Sequence, residues 1–195
     1  MRMLLTRLAG VLVLTLSATA CVAVGVAESQ VDYPYYESQA ALFDRADLVV
    51  EADLSPDSRV TLLKPDPPTG TDPAANPQAG VEPDAESVSG AMVITVYTAR
   101  VVTVFKGEVR VGQSIEVKEM GGTLRGVRHE VAGAVPLSGG ERYVLFLSTY
   151  PNAPASLLNP QQGQYRVDDS GTLSVVPGNE LTLTRADLER LAAAG

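Results

Sequence analysis

The chain has 195 residues, a formal net charge of −8, one cysteine, one histidine and no tryptophan. An acidic surface repels phosphate backbones, which argues against nucleic-acid binding, and a single thiol excludes an internal disulfide framework. Apolar residues make up 45% of the chain, which places it among globular proteins rather than wholly disordered ones.

Arg2 and Arg7 flank a short start, an apolar run covers 8–16, and Ser17-Ala18-Thr19-Ala20 leads to Cys21. A basic head, an apolar middle and a small-residue exit form a secretory signal peptide. The run is too short to cross a hydrocarbon core of about 30 Å, although the wider stretch 3–26, interrupted by Arg7, Thr15 and Ser17, is long enough. Three fates are open. Cys21 becomes the lipidated first residue of a bacterial lipoprotein, since Ala18-Thr19-Ala20-Cys21 resembles a lipobox without its commonest Leu. An ordinary signal peptidase cuts after Ala20 or Ala27. Or the segment stays as an uncleaved anchor. Lipidation accounts for a partnerless cysteine at this boundary in an exported chain, so the protein is expected on the outer face of the cell membrane, or secreted if cut by ordinary signal peptidase.

The expected organisation is a signal peptide at 1–20, a tether at 21–37, and one β-barrel domain at 38–195 carrying an insertion at 64–90. Residues 28–36 read as the extended tether. Ser38 then caps a helix with apolar positions Ala41, Leu42 and Ala46. Leu48-Val49-Val50-Glu51-Ala52 opens the first strand, which resumes at Val60-Thr61-Leu62-Leu63 after a turn at Ser55-Pro56-Asp57. The stretch 64–90 is Pro-rich, acidic and aperiodic, and reads as a disordered insertion between two strands. As a coil it spans about 30 Å, and its closure entropy grows only logarithmically with length.

Residues 91–105 are the strongest strand signal: Met92, Ile94 and Val96 alternate, then Ala99, Val101, Thr103 and Phe105, with a slip near Thr98 that predicts a bulge. Lys106-Gly107 turns the chain. Ile115-Glu116-Val117-Lys118-Glu119 alternates as a half-buried strand ended by Gly121-Gly122, and 127–131 is a short fourth strand. Arg142-Tyr143-Val144-Leu145-Phe146-Leu147 reads as a strand covered on both faces. Tyr165-Arg166-Val167 and Leu173-Ser174-Val175-Val176 flank the hairpin turn Asp168-Asp169-Ser170-Gly171. Thr184 and Asp187 form a capping-box variant, and Leu188, Leu191 and Ala192 line a terminal helix.

The order Ala46-Asp47-Leu48-Val49-Val50-Glu51, Val101-Val102-Thr103-Val104-Phe105-Lys106-Gly107, Gly112-Gln113-Ser114-Ile115-Glu116-Val117 and Gly140-Glu141-Arg142-Tyr143-Val144-Leu145-Phe146-Leu147 resembles small exported bacterial proteins with a tissue-inhibitor-of-metalloprotease-like (TIMP-like) or netrin-like OB barrel. The likeness covers about 46–176, leaving out the insertion. Family inhibitors use an N-terminal cysteine and a disulfide framework, so protease inhibition is not implied for this chain. The fold expectation is mainly β: a small OB-like, TIMP-like barrel with a helix before the first strand and a short C-terminal helix. Five or six short strands joined by turns argue the same independently.

Chemistry is sparse. Any Ser-His-Asp site has to centre on His129, and the bland reading of that residue is an exposed strand or loop position. Histidine and cysteine are too few for a usual metal site, and Asp168-Asp169-Ser170-Gly171 lacks the spacing of a calcium loop. Glu116 and Glu119 fall on opposite strand faces, while Glu116 and Lys118 share a face as a solvated pair. Tyr97, Tyr143 and Tyr165 are expected in the core or an interface, and Tyr33, Tyr35 and Tyr36 as a staple packing the tether onto the barrel. We therefore expect no catalytic, cofactor or metal residues, with Cys21 as the lipidation site. The expected function is a non-enzymatic interaction module, held at the membrane by its lipid. Its partner is an unidentified envelope protein or ligand, met through barrel-mouth loops such as 121–130 and the insertion. The alternatives are a small-ligand or carbohydrate binder and a hydrolase using His129 with Glu130; a concave pocket holding His129 and an acid favours the enzyme, while a filled barrel with flat loops favours the module.

Overall fold

The computed structural model describes residues 25–64 and 91–194; the expected signal peptide, Cys21 and all of the insertion except Lys64 lie outside the described residues. In chain order the elements are β1 (Gly25–Ser29), α1 (Gln39–Arg45), β2 (Leu48–Leu63), β3 (Met92–Lys106), β4 (Ser114–Met120), β5 (Gly122–Leu124), β6 (Val127–Val131), β7 (Arg142–Tyr150), β8 (Ala153–Leu157), β9 (Gln164–Val167), β10 (Leu173–Val175) and α2 (Arg185–Ala194).

The protein is mainly β and barrel-like. β7, β2, β3 and β4 pair antiparallel in that order, β8 joins β4 in parallel, and β8 also returns to β7 antiparallel. That circuit is the strand order of an OB-like barrel, a fold that is characteristically part-open. Here the β4–β8 seam holds only at Val117↔Ala155 and Lys118↔Ser156, so the barrel is not closed beyond Lys118. β7 shares its outer edge between β9, opposite Arg142–Leu145, and β8, opposite Leu147–Tyr150.

Alternation builds two cores. Leu48, Val50, Ala52 and Leu54 face inward with Tyr97, Ala99 and Val101 of β3 and with Tyr143, Leu145 and Leu147 of β7. Val49, Val144 and Phe146 face outward and are covered by Leu42 and Phe43 of α1, Leu188 of α2 and Tyr165 of β9. Both faces of β7 are therefore buried, which is why its sequence is almost continuously apolar. Phe146 meets the Phe43 and Tyr165 rings edge-on at centroid distances of 6.5 and 5.9 Å, a favoured aromatic geometry.

The helix caps follow the sequence. Ser38 Oγ accepts from the Ala41 amide at 3.2 Å, and the Asp187 amide donates to Thr184 Oγ1 while the Thr184 amide donates back to Asp187 Oδ2. Within α1, however, Phe43 is buried and Ala41 is exposed. The seven-residue helix packs Leu42, Phe43 and Ala46 toward the sheet, so Phe43 takes the buried place expected for Ala41. Lys106 Nζ donates to the Phe43 and Asp44 carbonyls, both at 2.9 Å, satisfying the C-terminal end of α1. Gly107 follows with φ 98° and would place a Cβ 2.8 Å from the Asp47 carbonyl oxygen, so the turn requires glycine.

Three strand expectations are corrected. β2 runs unbroken through Ser55-Pro56-Asp57, which is a bulge: β2 advances from Leu54 to Ser58 while β3 advances from Ala99 to Tyr97. Proline is tolerated there because a bulge frees it from the ladder. The slip near Thr98 thus belongs to the partner strand, and the extra residues of β3 itself are Val102 and Phe105. Met92 is 45% exposed whereas Val93 and Thr95 are buried, because this part of β3 is covered on both faces.

Candidate functional site

Beyond Met120 the chain leaves the barrel through Gly121 and Gly122, with φ 100° and 123°. A Cβ at Gly121 would lie 2.6 Å from the His129 carbonyl oxygen, so two glycines let the β5–β6 hairpin fold back against the barrel end. β6 pairs antiparallel with β5 and in parallel with β1, from Gly25↔Val127 to Ser29↔Val131. The stretch expected as a free tether is therefore folded from Gly25 onward. It continues along the barrel to Tyr36, whose backbone is read on both sides by Gln162: the Tyr36 amide donates to Oε1 and Nε2 donates to the Tyr36 carbonyl, each at 2.9 Å. Asn159 Nδ2 donates to the Pro34 carbonyl at 3.0 Å. Tyr36 is buried, Tyr33 is partly buried and Tyr35 is exposed, so the tyrosine cluster does staple this segment down, chiefly through Tyr36.

Between the three-stranded sheet and the open barrel end lies a cavity of about 890 Å³. Val60, Thr95, Tyr97 and Glu119 line it from the barrel, His129 from β6, and Tyr33 from the docked segment. The segment after β6 roofs it and is pinned from below: Gln161 Nε2 donates to the Gly133 carbonyl at 2.7 Å and Gln164 Nε2 to the Val135 carbonyl at 2.6 Å.

Glu119 is the central polar group. It follows the parity of Val117, which faces the barrel core, so its carboxyl enters the barrel end. Oε2 accepts from the Leu137 amide at 2.8 Å. Tyr97 Oη lies 3.2 Å from Oε1 and 2.9 Å from the Leu137 carbonyl, so one hydroxyl proton faces two acceptors. Burial raises the Glu119 pKa from 4.5 to about 7, outweighing the two hydrogen bonds that oppose the rise. Burial, with the Glu119 charge second, also pushes the Tyr33 and Tyr97 hydroxyls up.

Lys118 alternates to the outer side of the seam, where it is only 8% exposed and its Nζ sits 4.3 Å from the Tyr150 ring centroid. Desolvation lowers its pKa. The expected solvated pair with Glu116 does not form: Glu116 pairs with Arg59 across β3, a bidentate contact with Oε1 at 2.5 Å and Oε2 at 3.0 Å. Registers explain this, because the long β2 brings an arginine to the exposed face that Glu116 occupies.

His129 is partly buried and lines the cavity rather than sitting on an exposed loop. Glu130, its expected acid, lies at the next position of β6 and is paired with Arg128 Nε at 2.6 Å. The pair is thus not brought together by alternation. Asp168 forms the hairpin turn, accepting from the Ser170 and Thr172 amides at 2.9 Å. Tyr97, Tyr143 and Tyr165 are all buried. Among the described residues no group of three or more His, Cys, Asp or Glu side chains is placed to hold a metal ion. Cys21 lies outside the described residues. No protein-family model, curated protein or solved structure matches the chain.

Proposed function

We propose that the protein is an exported, lipid-anchored binding module of the bacterial envelope that holds a small ligand between its barrel end and its three-stranded sheet. The cavity carries this reading. Its volume of about 890 Å³ is on the scale of small-molecule sites, roughly 300–1,000 Å³, and it combines apolar walls with a few convergent polar groups. The sequence pattern alone favours contact through flat barrel-mouth loops. The 121–130 stretch is instead a hairpin forming one wall of the cavity, which moves the emphasis from a protein-contact loop to a ligand held in a cleft. A hydrolase centred on His129 gains less support, because Glu130 is engaged with Arg128.

The test is a ligand-observed NMR screen of small molecules against the wild-type protein and Ala134→Trp, which places an indole into the cavity wall. Hits on the wild type that are lost in the variant, with unchanged thermal unfolding, support the reading; hits that survive the substitution refute it. Anchoring is tested separately: Cys21→Ser should move the protein from the membrane fraction to the soluble fraction and abolish incorporation of labelled fatty acid.

A further inference from the structure

We infer that the cavity takes a protonated organic amine with an apolar body, its ammonium paired with Glu119 and flanked by the Tyr33 and Tyr97 rings. The inference rests on the binding-module reading and names its ligand class. Four observations support it.

Among the described residues no cationic side chain forms an ion pair with Glu119, although six other carboxylates have such partners. The cations that line the cavity have other partners: Arg128 is paired with Glu130, and Lys118 Nζ lies over the Tyr150 ring. Beside the Arg128–Glu130 pair, Lys118 and His129, the lining carries the carboxylates Glu28 and Glu119 with tyrosine rings next to them, groups that attract a cation. The chain's net charge of −8 steers cations inward and anions away.

The local hydrogen bonds fit a carboxyl that changes state on binding. Empty, a protonated Glu119 can donate to Tyr97 Oη, freeing the tyrosine proton for the Leu137 carbonyl at 2.9 Å. An arriving ammonium supplies the missing positive charge, and the carboxyl proton leaves to solvent. The Glu119 pKa of about 7 means that binding releases a proton below neutrality. The other titratable groups around the cavity are Tyr33, Tyr97, Lys118, His129, Glu28 and the Arg128–Glu130 pair. The pH dependence is therefore assigned by comparison with a Glu119 variant rather than from the wild type alone.

The experiment is calorimetric titration of the full mature protein with phenylbutylamine, using phenylbutanol and phenylbutyrate as neutral and anionic probes of similar shape. Phenylbutylamine should bind best, and its affinity should fall about tenfold from pH 8 to pH 6 as Glu119 takes up its proton. Glu119→Gln should weaken it about tenfold or more and flatten that pH profile, while phenylbutanol affinity changes much less and shows the cavity intact. Phenylbutanol or phenylbutyrate binding as well as the amine, or a Glu119→Gln profile as steep as wild type, overturns the inference and leaves the cavity reading standing. Failure of all three probes to bind folded protein overturns both.

Discussion

Glu119→Gln should stabilise the protein, and only at higher pH. The folded state raises the Glu119 pKa from 4.5 to about 7, so between those values the folded chain holds a proton that the unfolded chain releases. Unfolding free energy then falls as pH rises through this window. Below pH 4.5 both states are protonated and the penalty is absent; above pH 7 it is fully expressed. The gap is worth roughly 3 kcal/mol at about 1.4 kcal/mol per pH unit, and screening through the open side of the cavity trims it to about 2–3 kcal/mol. Glutamine keeps the geometry. Its carbonyl can accept from the Leu137 amide and its amide can donate to Tyr97 Oη, the two contacts Glu119 makes now. Urea denaturation of both proteins from pH 4.5 to 8.5 is the assay. The variant should match wild type at the acid end and exceed it by about 2–3 kcal/mol at the alkaline end. Parallel stability profiles would refute the reasoning, because they would mean that the carboxyl ionises in the folded state as easily as in water.

Two further substitutions probe how the frame is held. Gly107→Ala forces a side chain into a left-handed position with its Cβ 2.8 Å from the Asp47 carbonyl oxygen; a loss of about 2 kcal/mol or more is expected in the same denaturation assay, and an unchanged midpoint would show that the turn does not pack on Asp47. Arg185→Leu removes the 2.9 Å partner of Glu51, whose side chain is 3% exposed, leaving Arg142 at 3.7 Å. That should cost about 2–3 kcal/mol by stranding a buried charge, and adding Glu51→Gln should recover part of the loss by removing the charge itself; a double variant weaker than Arg185→Leu would contradict this account.

The parts of the fold legible in sequence are those where one segment carries its own periodicity. β7 reads as doubly covered because Tyr143 to Leu147 are all apolar, and all five are buried. The β9–β10 hairpin and the α2 cap are readable because Asp168 and Thr184 satisfy local backbone groups. β1, β5 and β8 are missed for a common reason. Each is short, five residues or fewer, and two of them also pair with strands distant in sequence: β1 lies against β6 and β8 against β4. Pro154 within β8 and the glycine-bearing start of β5 further disguise them as loops.

The cavity is illegible for the same reason, compounded. Its walls come from the docked segment, β2, β3, β4, β6 and the stretch after β6, and no single window contains two of Tyr33, Tyr97, Glu119 and His129. One signal is nevertheless present. The odd spacing that sets Glu116 and Glu119 on opposite faces also sets Glu119 on the face of Val117, the apolar one. An acid on the core side of a strand must be neutralised, hydrogen-bonded or matched by a cation. Here the Leu137 amide and Tyr97 hydroxyl supply hydrogen bonds and leave the charge unmatched. A carboxylate in register with the buried residues of its own strand is thus a mark carried by the residue pattern itself, and Glu119 bears it. His129, singled out by scarcity, stands on the opposite wall of the same cavity.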